Sequence, residues 1–239
     1  MNISISYYTS KGKRTNNEDS VSLLESNNGI LAIVADGLGG HANGEVASKQ
    51  AVATLNALLH YQEPDEDMLI EAIQSASQDI FKLCNPAHPM HTTVASLWVG
   101  NHRAIAANVG DSRIYQFRNG EITFQSMDHS VAQMAVLVGE LDKRDIRHSK
   151  DRNKLIRVLG DANIPKVDSE ILHIRDGDRF LLCSDGFWEA VTEPDMVSTA
   201  AHTDTAQEWL EKMHQIVERT ANPSQDNHTA IAIIIEKTM

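Results

Sequence analysis

The sequence predicts a single α+β domain, and three observations carry the prediction. Residues 30–35 are six apolar side chains in a row with no alternation, the signature of a short strand covered on both faces. Apolar residues elsewhere recur at helical spacing, as in Leu69, Ile73, Ala76, Ile80 and Leu83, and again in Ala206, Leu210, Met213 and Val217. Between these lie residues 93–99, 104–109, 114–117 and 122–124, spaced as antiparallel strands of a meander joined by tight turns. With 239 residues, no internal repeat and no linker, the whole chain 1–239 reads as one domain large enough for a substantial core.

The elements follow in order. Ile3, Ile5 and Tyr7 alternate with polar residues and make a half-exposed first strand. A polar loop with a basic cluster and an acidic pair, Lys11 to Asp19, leads to a short strand at 21–24, and Asn27-Asn28-Gly29 turns the chain into the 30–35 strand. That strand stops at Asp36-Gly37 and is followed by two helices, the second with an acidic start at Asp65-Glu66-Asp67 that suits a helix N-terminus. Residues 85–91 form a loop; His88 and His91 resemble a metal pair but have no Cys or acidic partner beside them. Gly110-Asp111-Ser112-Arg113 sits at a turn and taken alone is a hairpin set. Residues 179–183 repeat the earlier design, an apolar run that stops at Ser184-Asp185-Gly186, and 229–235 form a last buried strand just after Asp226.

Composition narrows the function. A net charge of −12 argues against general nucleic-acid affinity, which needs basic surface to displace counterions. No apolar run approaches the roughly 18 to 20 residues of a membrane helix, and the N-terminus lacks a signal-peptide core. Two cysteines, Cys84 and Cys183, far apart and flanked by apolar residues, read as free thiols of a cytoplasmic protein. No coiled-coil repeat is visible, so a monomer is expected. Residues 131–165 have weak periodicity. Between Lys143 and Arg157 lie seven of the 21 lysines and arginines and only two acids, a surface that is either a solvated flap or a means of steering an anionic substrate.

Asp36 and Asp185 each close a buried strand, and Asp226 stands just before one. If the last strand runs antiparallel to its neighbours, the three meet at one end of the sheets, where Asp19 and Asp111 can join them. Gathered carboxylates repel one another unless cations neutralise them, and an all-oxygen set selects Mg²⁺ or Mn²⁺ over zinc. Two such ions bridged by Asp36 would turn a shared water into a nucleophile near neutral pH.

The ordered motifs Arg14-x-x-Asn17-Glu18-Asp19, Asp36-Gly37-Leu38-Gly39-Gly40-His41 with Gly44-Glu45, Thr92-Thr93, Gly110-Asp111-Ser112-Arg113, Asp128-His129-Ser130, Leu159-Gly160, Ser184-Asp185-Gly186-Phe187-Trp188 and Asp226-Asn227-His228-Thr229 span nearly the whole chain. Together they resemble the metal-dependent type 2C protein serine/threonine phosphatases, in particular the compact bacterial members. The resemblance implies a four-layer α-β-β-α sandwich, two central antiparallel sheets flanked by antiparallel helix pairs. It implies two Mn²⁺ or Mg²⁺ ions, with Asp36 bridging them, the Gly37 carbonyl on one, and Asp185 and Asp226 on the other. Glu18 and Asp19 would act mainly through metal-bound water, and Asp111 with Asp185 would hold a third, weaker ion. Arg14 would grip the substrate phosphate with its planar fork. The partners implied are phosphorylated proteins, among them a bacterial serine/threonine kinase and its substrates, with residues 131–165 as the flap beside the site.

Two departures stand out. Many eukaryotic relatives carry a histidine after the first Asp-Gly, proposed as the general acid; here Leu38 cannot donate a proton, so the acid must be metal-bound water or another group, and His41, the nearest candidate, reads better as a helix-entry residue. His91 stands where relatives have glycine. Two competing readings are weaker. A non-catalytic phosphoprotein-binding relative would be expected to lack part of the ligand set, which is complete. A dinucleotide fingerprint at Gly37-Leu38-Gly39-Gly40-His41-Ala42 would press Asp36 against a pyrophosphate, and a second helix stands where a parallel strand should follow.

Overall fold

The computed structural model describes residues 2–26, 28–38, 43–60, 63–84, 89–221 and 223–236. The chain opens with strands β1 (Ile3–Ser10), β2 (Asp19–Ser26) and β3 (Gly29–Leu38), then helices α1 (Asn43–Leu59) and α2 (Glu66–Leu83). Five strands follow: β4 (His91–Thr92), β5 (Val94–Val99), β6 (Arg103–Val109), β7 (Arg113–Arg118) and β8 (Glu121–Gln125). Helix α3 (Val131–Leu137) and a 3-10 turn (Lys143–His148) precede β9 (Asp168–His173) and β10 (Arg179–Cys183). The chain ends with α4 (Asp185–Trp188), α5 (Glu193–Ala201), α6 (Ala206–Thr220) and β11 (His228–Ile235).

Strand pairing builds two sheets, one in the order β1-β11-β10-β7-β8, the other β2-β3-β5-β6-β9 with β4 added beside β3. Every pairing is antiparallel. Three apolar cores separate four layers. Leu31, Ile33 and Ala35 of β3 meet Ala51, Leu55, Leu69 and Ile73 of α1 and α2. The alternate residues Ala32 and Val34 face inward, against Leu182, Ile231 and Ile233 of the other sheet. The far side of that sheet packs Leu181, Ala230 and Ala232 on Met196, Trp209, Met213 and Val217 of α5 and α6. The unbroken apolar run thus reflects a strand with a core on each face, and the architecture is the α-β-β-α sandwich expected from the motifs. Helix α2 begins where Asp65 caps it, accepting a hydrogen bond from the Met68 amide.

Three local expectations are corrected. The meander is split: β5 and β6 lie in one sheet, β7 and β8 in the other, so Gly110-Asp111-Ser112 is a crossing between sheets and not a hairpin. Gly110 makes that crossing with φ +100, where a Cβ would lie 2.6 Å from the Thr93 side chain. The strand carrying Asp36 does not stop there but continues to Leu38, because Gly37 and Leu38 pair with Thr92 and His91. The second strand starts at Asp19, directly opposite Asp36, well before residue 21. Cys183 is buried and Cys84 half-buried, and neither is in a disulfide. Among the described residues no helix is long and apolar enough to cross a membrane.

Candidate metal centre

Antiparallel pairing of β11 with both β1 and β10 brings the entrance of β11 to the exit of β10, and this places Asp226 beside Asp185. From the other sheet come Asp36 and its register partner Asp19; Asp111 sits on the crossing between them. Arg14, Glu18, Asp36, Gly37, Asp111, Asp185 and Asp226 line one cleft of about 580 Å³, together with Leu38 and, from the 131–165 segment, Asn153 and Leu155. Asp19 lies off the cleft wall and is only 7% exposed.

Asp36 and Asp19 are held by neighbours that the sequence does not advertise. The Asp36 amide donates to Thr93 Oγ1 at 3.0 Å, and its carbonyl accepts from Thr92 Oγ1 at 2.8 Å and from the Thr93 amide at 2.8 Å. The Thr92-Thr93 pair therefore clamps the backbone that presents the Asp36 carboxyl. Ser184 Oγ donates to Asp19 Oδ2 at 2.8 Å, while Asp19 Oδ1 is buried with no hydrogen-bond partner. Asn227 ties the loop before β2 to the start of β11: its Nδ2 donates to the Lys11 and Asn16 carbonyls at 3.0 and 2.9 Å, and its Oδ1 accepts from the Glu18 amide at 2.8 Å. Gly37 is required as glycine, since a Cβ there would stand 2.1 Å from the Gly44 carbonyl oxygen.

The electrostatics follow from burial and crowding. Burial, then the charges of Asp185 and Asp226, pushes Asp19 up to about 7 against the lowering effect of Thr229 and Ser184. Burial and the charges of Glu189 and Asp226 push Asp185 up to about 6. Asp36 and Asp111 are raised well above the usual carboxylate range, by burial first and next by the charge of Asp185. Asp36 and Asp185 act on each other at close quarters, so in the absence of a cation at least one of them is driven toward its neutral form. An all-oxygen donor set, with one buried carboxylate oxygen lacking any partner, fits hard divalent cations such as Mn²⁺ and Mg²⁺.

These shifts have a sign. In metal-free protein the raised carboxyls keep protons that the unfolded chain would release, so their contribution to stability is fully present below about pH 4 and is lost as pH rises toward about 7. The melting temperature of chelator-treated protein is expected to fall across that window. Saturating Mn²⁺ should offset most of the fall, with its largest effect at the alkaline end. Differential scanning calorimetry at stepped pH, with and without Mn²⁺, checks this.

Arg14 lies on the cleft rim, with Nη2 donating to Asp226 Oδ2 at 2.6 Å and its side chain 57% exposed. Five of the seven basic side chains between Lys143 and Arg157 are in ion pairs: Arg144 with Asp142, Arg147 with Glu193, Arg152 with Glu189, Lys154 with Asp151 and Arg157 with Asp168. Three of these fasten the segment to Glu189 just after α4, to α5 and to β9, so much of its charge serves attachment and not steering. His91 pairs with Leu38 through the backbone, and its buried Nδ1 has no hydrogen-bond partner. His41 and His88 lie outside the described residues.

Two sheets that bring acidic side chains to one oxygen-lined cleft suit a metal-dependent hydrolase of the sandwich type. The model of the protein phosphatase 2C family matches residues 10–228. The serine/threonine phosphatase stp of Listeria monocytogenes is 31% identical over 95% of this chain and 94% of its own length. The solved serine/threonine phosphatase of S. agalactiae superposes with a TM-score of 0.89 at 26% identity, covering 98% of this chain and all of that one. The catalytic domain of the phosphatase PstP, solved in complex with two manganese ions, superposes with a TM-score of 0.82 at 28% identity, covering 99% of this chain and 100% of that one. The chain belongs to the protein phosphatase 2C family. It is a serine/threonine phosphatase whose catalysis depends on Mn²⁺ or Mg²⁺.

Proposed function

We propose that residues 1–239 act as one catalytic domain whose two core ions are held by Asp36, the Gly37 carbonyl, Asp185 and Asp226, with Asp19 supporting them and Asp111 joining Asp185 at a third, weaker site. The convergence of Asp36, Asp111, Asp185 and Asp226 on one cleft, with the buried Asp19 Oδ1 unpartnered, carries the reading. When bound, the ions neutralise phosphoryl oxygens and lower the pKa of an attacking water. Asp36 lies opposite Asp19 and feels the charges of Asp185, Asp19 and Asp111, which suits it to the bridging place. Arg14 carries a planar fork on a short loop at the rim; exchanging Asp226 for a phosphoryl group would bring two parallel donors to the substrate. Leu38, on the cleft wall, has no proton to give, so the leaving oxygen takes its proton from water or from another group. Asn153 and Leu155 extend the wall from the flap and would touch residues flanking the phosphorylated side chain. The substrates in this reading are phosphoserine and phosphothreonine proteins, among them a serine/threonine kinase and its targets, acted on by a cytoplasmic monomer.

The test is hydrolysis of a phosphothreonine peptide. Activity should vanish with chelator and return with Mn²⁺; turnover that persists in chelator would overturn the reading. Arg14→Ala should lower kcat/KM by about ten- to a hundredfold, the worth of a charge-assisted hydrogen bond, with metal affinity little changed.

A further inference from the structure

Beyond the aspartate cleft, the structure assigns a second metal site: we propose that His214, Glu218 and His228 bind Zn²⁺. One ligand atom from each lies within 4.8 Å of the others. His214 and Glu218 are four apart on α6, hence on one helix face, and His228 opens β11 against that face. None of the three lines the aspartate cleft.

Two further observations separate this group from a chance meeting of side chains. His228 Nδ1 lies 3.0 Å from the Asp226 carbonyl oxygen, which can only accept, so the proton sits on Nδ1 and the lone pair on Nε2. A ring N–H given to a backbone carbonyl is the support that fixes tautomer and orientation in metal-ligating histidines. The second observation is His214 Nδ1, a buried ring nitrogen with no hydrogen-bond partner. Tyr8 packs against both imidazoles, its ring 4.3 Å from that of His214 and 5.5 Å from that of His228. Its hydroxyl donates to His228 Nε2 at 2.8 Å, and it must swing aside as the ion arrives. Two imidazoles and one carboxylate form a zinc donor set, to which water would add a fourth ligand; Mg²⁺, which demands oxygen and six neighbours, is a poor fit. An ion there would tether α6 to the first residue of β11, two positions from Asp226.

The proposal stands on none of the cleft residues, so it is tested with the cleft disabled. Full-length Asp36→Asn/Asp185→Asn protein, titrated calorimetrically with zinc chloride, should bind one ion that Glu218→Gln or His214→Ala weakens by about a hundredfold or more. Co²⁺ in place of zinc should give the intense visible absorption of a four-coordinate nitrogen–oxygen site, lost in the same variants. Glu218 is exposed, so Glu218→Gln should keep its fold even if His214→Ala does not. Absence of zinc binding in the doubly substituted protein, or undiminished affinity after Glu218→Gln, overturns the site.

Discussion

Asp36→Asn is expected to lower kcat on an aryl phosphate by about a thousandfold or more at saturating Mn²⁺, and Asp185→Asn to do much the same. The substitution keeps the shape of the side chain and its capacity to hydrogen-bond, so the Thr92-Thr93 clamp on the backbone survives. What disappears is a negative charge in a buried cluster where Asp185, Asp19 and Asp111 all act on Asp36. An amide needs no proton taken up on folding, as the raised Asp36 carboxyl does near neutral pH, so the metal-free variant should melt at or above the wild-type temperature. Its Mn²⁺ affinity should drop together with its rate. That pairing of lost metal and kept fold distinguishes a ligand from a structural residue. Steady-state kinetics beside Mn²⁺ calorimetry measures both, and a rate within tenfold of wild type would remove Asp36 from the centre.

The largest effect on stability is expected from Asp128→Ala. Arg113 Nε and Nη2 reach the two Asp128 oxygens at 2.8 and 2.7 Å, and both side chains are almost fully buried, 4% and 2% exposed. The same guanidinium lies 3.5 Å from the centre of the Trp188 ring, and Trp188 Nε1 donates to the Asp111 carbonyl at 2.9 Å. Removing the carboxylate leaves a buried cation whose other acid, Glu193, is 3.2 Å away and partly solvated. The cost should be about 3–5 kcal/mol, a fall in melting temperature on the order of 10 °C in a domain of this size. By contrast, Asp142→Ala breaks an exposed pair with Arg144 and the cap it places on a short 3-10 turn, and should cost about 1 kcal/mol or less, a few degrees at most. Thermal melts of the two variants side by side check the contrast. The chain Asp128–Arg113–Trp188–Asp111 also means that Asp128→Ala should disturb the cleft from outside it.

Much of this is legible in the sequence because burial on two faces and the ends of strands leave marks. Residues 30–35 announce a strand between two cores, and Asp36, Asp185 and Asp226 stand where charge would be costly without a cation. The supports of those carboxylates leave no such mark. Thr93, Ser184 and Asn227 are uncharged and common in turns, and their partners are up to 216 positions away. The Gly110 crossing was hidden for a related reason, since a hairpin and a change of sheet both use glycine with small polar residues. The basic excess at 143–157 looks like a substrate-steering surface until Glu189, Glu193 and Asp168, its distant counter-charges, are folded against it.

Asp19 and Asp36 hang from one sheet, Asp185 and Asp226 border the other, and Asp111 stands on the strand connection that passes between the two. Ions gripped from both sides would rivet the halves of the sandwich together, and their spacing would inherit the thickness of the apolar filling between the sheets. Ala32, Ala95, Ala104 and Ala106 keep that filling thin. A methylene added among them, far from any phosphate, would act as a shim, and its first symptom would be a mis-gauged pair of ions before any loosening of the fold.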